Sequence, residues 1–279
     1  MANETTSSTI SELYTEIVAE ALFVASEQSI MRNLVRNYTI AGGGKSVEVP
    51  IYATVSASAV NEATDLSNTA VNPTSVTITA SEVGVMTTLT DLARNSASRN
   101  VAGDIGRLFG EAIARKVEAD LSALFTGFST EKAGGAGQEL TVQDIFEASA
   151  ELRTANAPAP YYGVFHPKQI FNVKKSLTNT FVGRDTELSN EAMRTGFVGT
   201  IAGVQIFESS NISVDGSDDS IGGVFSQDAL ALAMMQDLKL ETQRDASLRA
   251  DEIVATAVYG VSEIHDSYGV KLTADTLAT

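Results

Sequence analysis

Between residues 53 and 74 the chain is almost featureless: 15 of these 22 residues are Ala, Ser, Thr or Asn. Runs of alternating character flank the stretch. Val47, Val49, Ile51, Ala53 and Val55 alternate with Glu48, Pro50, Tyr52, Thr54 and Ser56, and Val76-Thr77-Ile78-Thr79-Ala80 repeats the pattern beyond it. Period-two alternation predicts strands with one face buried, so residues 46–82 read as a long two-stranded arm with a soft tip. An isolated hairpin is marginal in water. This tip carries too little apolar bulk for a private core, and ordering it costs entropy that it does not recover internally. Two outcomes remain: a mobile surface hairpin, or a ribbon lying on another surface. No Lys or Arg falls from Ser46 to Ala93, against Glu48, Glu62, Asp65, Glu82 and Asp91, so the arm is acidic and suited to a basic neighbour.

Composition excludes several classes. Of 279 residues, 43% are hydrophobic and 19% charged, which is not the pattern of disorder. No run approaches the roughly 18 apolar residues that a membrane helix needs, and MANETTSSTI lacks the basic and apolar regions of a secretory signal. Zero Cys removes disulfides, thiolate metal sites and Cys nucleophiles. A net charge of −16 argues against nucleic-acid binding through phosphate contacts.

A helix is expected over Ile10–Val35, opened by the Thr9-x-x-Glu12 capping box and running out at Asn37. Gly42, Gly43 and Gly44 follow as a hinge. A second helix is expected over Ser98–Phe125, about 40 Å at 1.5 Å per residue, with Val101, Ile105, Leu108, Ala112, Lys116, Leu121 and Leu124 on its apolar face and Phe109, Ile113, Val117 and Phe125 beside them. Residues 138–235 are mixed. Thr141-x-x-Asp144 opens a short helix, Tyr161–Phe165 is a buried strand, Pro167 starts another helix, Val204–Phe207 and Ala231–Met235 are strands, and Asp215–Asp219 is a turn. Leu238–Glu241, Glu252–Ile264 and Gly269–Leu272 return to strand and should pack on the long helix as a helix-on-sheet layer. The fold class is α+β.

Chemistry was sought and not found. Gly42-Gly43-Gly44-Lys45-Ser46 resembles the end of a phosphate loop, but the required earlier Gly is Thr39 and a strand pattern follows where a helix is needed. His166 before Pro167 reads as a turn or cap residue. His265, Asp266 and Ser267 are adjacent, and neighbours in a strand point to opposite faces. No G-x-S-x-G or H-E-x-x-H occurs. No catalytic, cofactor-binding or metal-binding residue is assigned, no cofactor is expected, and the chain does not read as an enzyme.

The order of parts resembles the major capsid proteins of tailed bacteriophages, the Hong Kong 97 fold. VEVPIYATVSASAVNEATDLSNTA resembles the extended loop, SRNVAGDIGRLFGEAIARKVEADLSALFTGF the spine helix, YYGVFHPKQIFNVKKSL the strand-then-helix step of the axial domain, and the stretch from VFSQDALALAMMQDLKL onward the close of the peripheral domain. The resemblance implies an N-terminal helical arm over 1–40, an extended loop over 41–82, a peripheral domain over 83–130 and 236–279, and an axial domain over 131–235. It implies a shell protein of the virion, assembled in the host cytoplasm as hexamers and pentamers of an icosahedral head around double-stranded DNA, with no sequence-specific DNA contact and no membrane. A scaffolding protein, a portal and a decoration protein are the implied partners. Asn61, Glu62, Asp65 and Leu66 at the loop tip are the expected inter-subunit contacts. Some members crosslink from a Lys in the extended loop, and the Lys-free loop here implies none, so boiled particles should run as monomers. The alternatives are an encapsulin-type nanocompartment shell and, from another class, a soluble hydrolase with a dispersed site.

Overall fold

The computed structural model describes residues 30–41, 44–52, 55, 57, 59–61, 65, 68, 70–96, 101–132, 135–180 and 199–276. Its elements in chain order are α1 (Met31–Leu34), β1 (Arg36–Thr39), β2 (Ser46–Ile51), β3 (Thr74–Thr79), β4 (Ser81–Thr90), α2 (Asp91–Ser96), α3 (Val101–Ala123), β5 (Glu131–Lys132), α4 (Val142–Thr154), β6 (Tyr161–Phe165), α5 (Pro167–Thr180), β7 (Thr200–Ile201), β8 (Val204–Glu208), β9 (Asp219–Ser226), β10 (Leu230–Asp245), β11 (Ala250–Glu263) and β12 (Gly269–Asp275). They form a four-stranded sheet ordered β1-β10-β11-β4, a six-stranded sheet ordered β5-β12-β9-β6-β8-β7, and the separate pair β2-β3.

The long helix α3 lies on the four-stranded sheet. Phe109, Ile113, Val117 and Leu121, each four residues after the last, are buried against Leu232, Leu240, Ile253, Ala255 and Ala257. Spacing by four puts side chains on one helix face, so this stripe, and not the one through Leu108, faces the core. Leu108 is 57% exposed. Tyr259 of β11 fixes the helix further by donating its hydroxyl to Asp120 Oδ2 at 2.8 Å, and burial with that carboxylate holds the phenol far above its usual range. A 3₁₀ turn, Leu124–Gly127, then brings Phe125 against Phe225 with ring centroids 5.5 Å apart. The rings need bare strands beneath them: a Cβ on Gly269 would stand 2.0 Å from the Phe128 ring.

The six-stranded sheet buries its other face under α4 and α5, where Ile145, Ala148, Leu152, Ile170 and Val173 meet Phe165, Val204, Ile206, Val224 and Leu272. Thr141 and Asp144 open α4 as expected and do so as a capping box. Pro167 opens α5, with His166 at its cap: the carbonyl accepts from Ile170 N–H at 3.2 Å and Nδ1 from Lys168 N–H at 3.4 Å. Gln169 is fully buried and donates to the carbonyls of Ser220 and Ala274 at 2.8 and 3.0 Å, joining the ends of β9 and β12.

Several expectations are corrected. The described residues hold a four-residue helix, α1, that ends one residue short of the expected Val35, and Arg36–Thr39 is a strand paired in parallel with β10. Residues 1–29 lie outside the described residues. The long helix begins at Val101 in the described chain and yields to the 3₁₀ turn before Phe125. Ala231–Met235 and Leu238–Glu241 are one 16-residue strand, interrupted by bulges between Met234 and Lys239; the polar Gln236-Asp237 that divided them in the sequence occupies the irregular stretch. Five strands were not expected: β1, β4, β5, β7 and β9. The closing strand β12 does not join the four-stranded sheet under α3. It pairs with β9 and β5 in the six-stranded sheet, because after β11 the chain crosses over and leaves the long helix behind.

Candidate assembly surface

The expected two-stranded arm is present, β2 pairing antiparallel with β3 from Ser46↔Thr79 to Ile51↔Thr74. Its root is held by its own chain. Val49, Ile78 and Ala80 are buried with Ile40, Ala231, Ala233 and Ile264, and Val47 and Ile51 pack beside them. Ala80 N–H donates to the Lys45 carbonyl at 2.8 Å. Gly260 of β11 approaches so closely that a Cβ there would lie 2.4 Å from the Thr79 carbonyl oxygen. This anchor draws on segments more than 200 residues apart, so no local sequence pattern marks it.

Beyond Ile51 the described residues stand away from the body. Tyr52, Val55, Val60 and Val71 are 66%, 54%, 51% and 49% exposed. Asn61 and Asp65 are exposed, as is Gly44 at the hinge; Glu62, Leu66, Gly42 and Gly43 lie outside the described residues. The tip thus carries exposed apolar side chains among its small and polar residues. The backbone after Lys45 is strand, not helix, so the phosphate-loop geometry is absent.

A second exposed apolar pair sits at the far end of the four-stranded sheet. Leu92 and Leu248 are 79% and 58% exposed, and the Asp91 N–H bond to the Arg249 carbonyl, 3.0 Å, brings their segments together. Arg244 grips Asp91 with two parallel bonds of 2.7 and 2.6 Å and reaches Asp251 at 3.3 Å, which fixes this tip.

Inside the subunit, one carboxylate ties distant segments. Glu118 of α3 is 2% exposed and accepts from the Ser209 hydroxyl, the Asn211 side chain and the Ile30 backbone N–H. It lines an open cavity of about 540 Å³ with Arg115, Glu208 and Ser210. Burial pushes its carboxyl above the usual range, and the three donors only partly offset this. Its contribution to stability is therefore complete below the ordinary glutamate value and is lost as pH rises through the raised one. Glu118→Ala should cost about 1–3 kcal/mol by stranding the donors. Glu118→Gln, which retains an acceptor and no charge, should cost far less at neutral pH. Denaturant titration of the two variants checks this ordering.

Among the described residues no group of three His, Asp or Glu side chains could hold a metal ion, and no described helix is long and apolar enough to cross a membrane. The His265 and Tyr268 rings lie 4.6 Å apart, centroid to centroid, tilted by 36°.

The family model described as "Phage capsid protein" matches residues 73–271, more than half of the chain. The chain belongs to the phage capsid protein family. Solved structures agree in fold. The capsid of the cyanophage P-SCSP1u superposes with a TM-score of 0.70 at 18% identity, covering 88% of each chain. The capsid of Ralstonia phage GP4 gives 0.71 at 9% identity, again over 88% of each. The head of Helicobacter pylori bacteriophage KHP40 gives 0.66 at 15%, covering 87% of this chain and 88% of the other. No curated protein matches the sequence. This capsid protein is a major shell component with a Hong Kong 97-like α+β fold, structural in role, self-associating, and located in the virion. Neither the nanocompartment nor the hydrolase reading is favoured.

Proposed function

We propose that the capsid protein assembles as hexamers and pentamers of an icosahedral head around double-stranded DNA, and that residues 52–73 of each copy lie over an adjoining copy. The observation that carries this reading is the division within the hairpin: a root buried on its own chain, and a tip whose Tyr52, Val55, Val60 and Val71 are about half exposed or more. Asn61, Glu62, Asp65 and Leu66 are the proposed polar and apolar contacts of that tip, and Gly42, Gly43 and Gly44 are the hinge that sets its angle. The tip is acidic, so a basic surface on the neighbour fits it. Assembly is proposed to take place in the host cytoplasm with a separate scaffolding protein, around a portal, with a decoration protein added outside.

The proposed domains follow the sheets. The peripheral domain holds α3 and the four-stranded sheet. The axial domain holds the six-stranded sheet, including β12, with α4 and α5. The extended loop spans 41–82, and the N-terminal arm precedes β1.

The absence of Cys makes a direct test available. A single Cys at Val60 combined with single Cys replacements at exposed basic positions of the body, such as Arg107 and Lys168, should give disulfide-linked multimers from assembled particles under mild oxidation. Negative-stain microscopy of protein co-expressed with a scaffolding protein should show shells. A compact monomer at high concentration, with no multimers from any Cys pair, contradicts the proposal.

A further inference from the structure

Helix α5 buries two stripes of different character. Ile170 and Val173 enter the core of the six-stranded sheet. Gln169 and Asn172, also three residues apart, are 0% and 1% exposed. Positions three apart share a helix face, so one buried edge of α5 is polar. Buried polar groups are nearly always hydrogen-bonded, yet the two amides fare differently.

Gln169 is fully engaged. Its Oε1 accepts from His166 N–H at 3.3 Å, and its Nε2 donates both hydrogens, to the Ser220 and Ala274 carbonyls. That leaves nothing for Asn172. Asn172 Nδ2, Asn172 Oδ1 and Ser220 Oγ are buried without a hydrogen-bond partner, and among the described residues no other buried side-chain N or O is in that position.

The three atoms belong to one corner of the subunit. The Gln169 bond of 2.8 Å holds Ser220, at the start of β9, against α5. Asn172 lies about one turn further along the same face of that helix. Neighbouring groups are committed to one another. Asp219 Oδ1 accepts from Gly137 N–H at 2.7 Å. Thr276 gives its N–H and its hydroxyl to the Asp218 carbonyl at 2.7 and 2.6 Å. Asp275 N–H donates to the Gln138 carbonyl at 2.8 Å.

We propose that the corner between α5 and the start of β9 is an internal hydration site, where one water molecule bridges the Asn172 carboxamide and the Ser220 hydroxyl. The donor set selects this ligand. Asn172 offers a donor in Nδ2 and an acceptor in Oδ1, and a serine hydroxyl does either. A cation would meet the Nδ2 hydrogens, and an anion the Oδ1 lone pairs. A small neutral molecule that donates and accepts at once suits all three atoms, and a buried water typically makes about three such bonds. The water does for Asn172 what the Ser220 and Ala274 carbonyls do for Gln169: it ties the helix to the sheet. The site lies within the folded subunit and is independent of any ring the subunit joins.

High-resolution cryo-electron microscopy of shells, or crystallography of the subunit, reads the site directly. Density for one ordered water should stand about 2.7–3.2 Å from the Asn172 carboxamide and from Ser220 Oγ. A direct Asn172–Ser220 bond, or a well-ordered corner without that density, overturns the proposal. Thermal melts of the full chain separate the cases by sign. Removing a hydroxyl that holds a water lowers stability, whereas removing one buried without a partner does not. Ser220→Ala should therefore melt about 2–4 °C below the unaltered chain. In an Asn172→Ala background the same substitution should have little further effect, because the shared water has already lost its other holder. An unchanged or raised melting temperature for Ser220→Ala overturns the proposal, and so does an equal loss in both backgrounds. Should Asn172→Ala fail to fold, Ser220→Ala decides alone: a lower melting temperature supports the site, and an unchanged or higher one overturns it.

Discussion

Phe125→Ala is expected to lower the stability of the folded subunit by about 3–5 kcal/mol, the range for deleting a fully buried Phe. Phe125 is 0% exposed and stands just past the end of the long helix. Its ring lies 6.2 Å from Phe128 and 5.5 Å from Phe225, centroid to centroid, so it touches both the helix end and the six-stranded sheet. The cavity cannot collapse easily, because the Phe128 ring is itself held against Gly269, where even a methyl group has no space. A loss of this size approaches the whole stability of an ordinary domain. Urea denaturation of the full chain should show the midpoint displaced to much lower denaturant, and particles should not form at growth temperature. A loss below about 1 kcal/mol would mean that the two sheet units do not share this core.

The second large effect concerns assembly and leaves folding alone. Ile51 and Thr74 are direct cross-strand partners at the end of the hairpin. Residues 52–73 can therefore be replaced by Asn-Gly, the residues that favour a two-residue hairpin turn. The root cluster of Ile40, Val49, Ile78, Ala80 and Ile264 is untouched, so the melting temperature should stay within the effect of a neutral surface change, about 0.5 kcal/mol. Shell formation should collapse. Each buried Val at an inter-copy contact is worth about 1.5 kcal/mol, which is about tenfold in association, and the deletion removes three Val and Tyr52. Sedimentation of the shortened protein with scaffold should find it as subunits or small rings. A shortened protein that assembles normally, or one that no longer folds, would each contradict the division of labour between root and tip.

Local period made the hairpin legible in the sequence, since Val47, Val49 and Ile51 declare a buried face without outside information. The capping box at Thr141 and Asp144 and the Pro167 start of α5 were legible for the same reason: caps act within one turn. What failed was long-range pairing. Arg36–Thr39 carried no strand signal and is a strand because β10 offers a parallel edge. The closing strand β12 looked like a continuation of β11 and belongs to the other sheet. Strand period shows that a face is buried but not which sheet buries it. The long helix showed one broad apolar face, and packing against β10 and β11 turned the part through Phe109 and Ile113 inward. For the assembly surface, the acidic, Lys-free tip could be read directly. Its anchor could not, because Ile40, Ala231 and Ile264 meet only in the folded chain.

Amide hydrogen exchange compared between dissociated subunits and assembled particles tests the central claim most directly. The amides of β2 and β3 should be protected in both states. The non-proline amides of residues 52–73 should exchange rapidly in the subunit and become strongly protected in the particle, because only there does a neighbouring copy cover them. Equal protection of the tip in both states, whether fast or slow, would contradict the account.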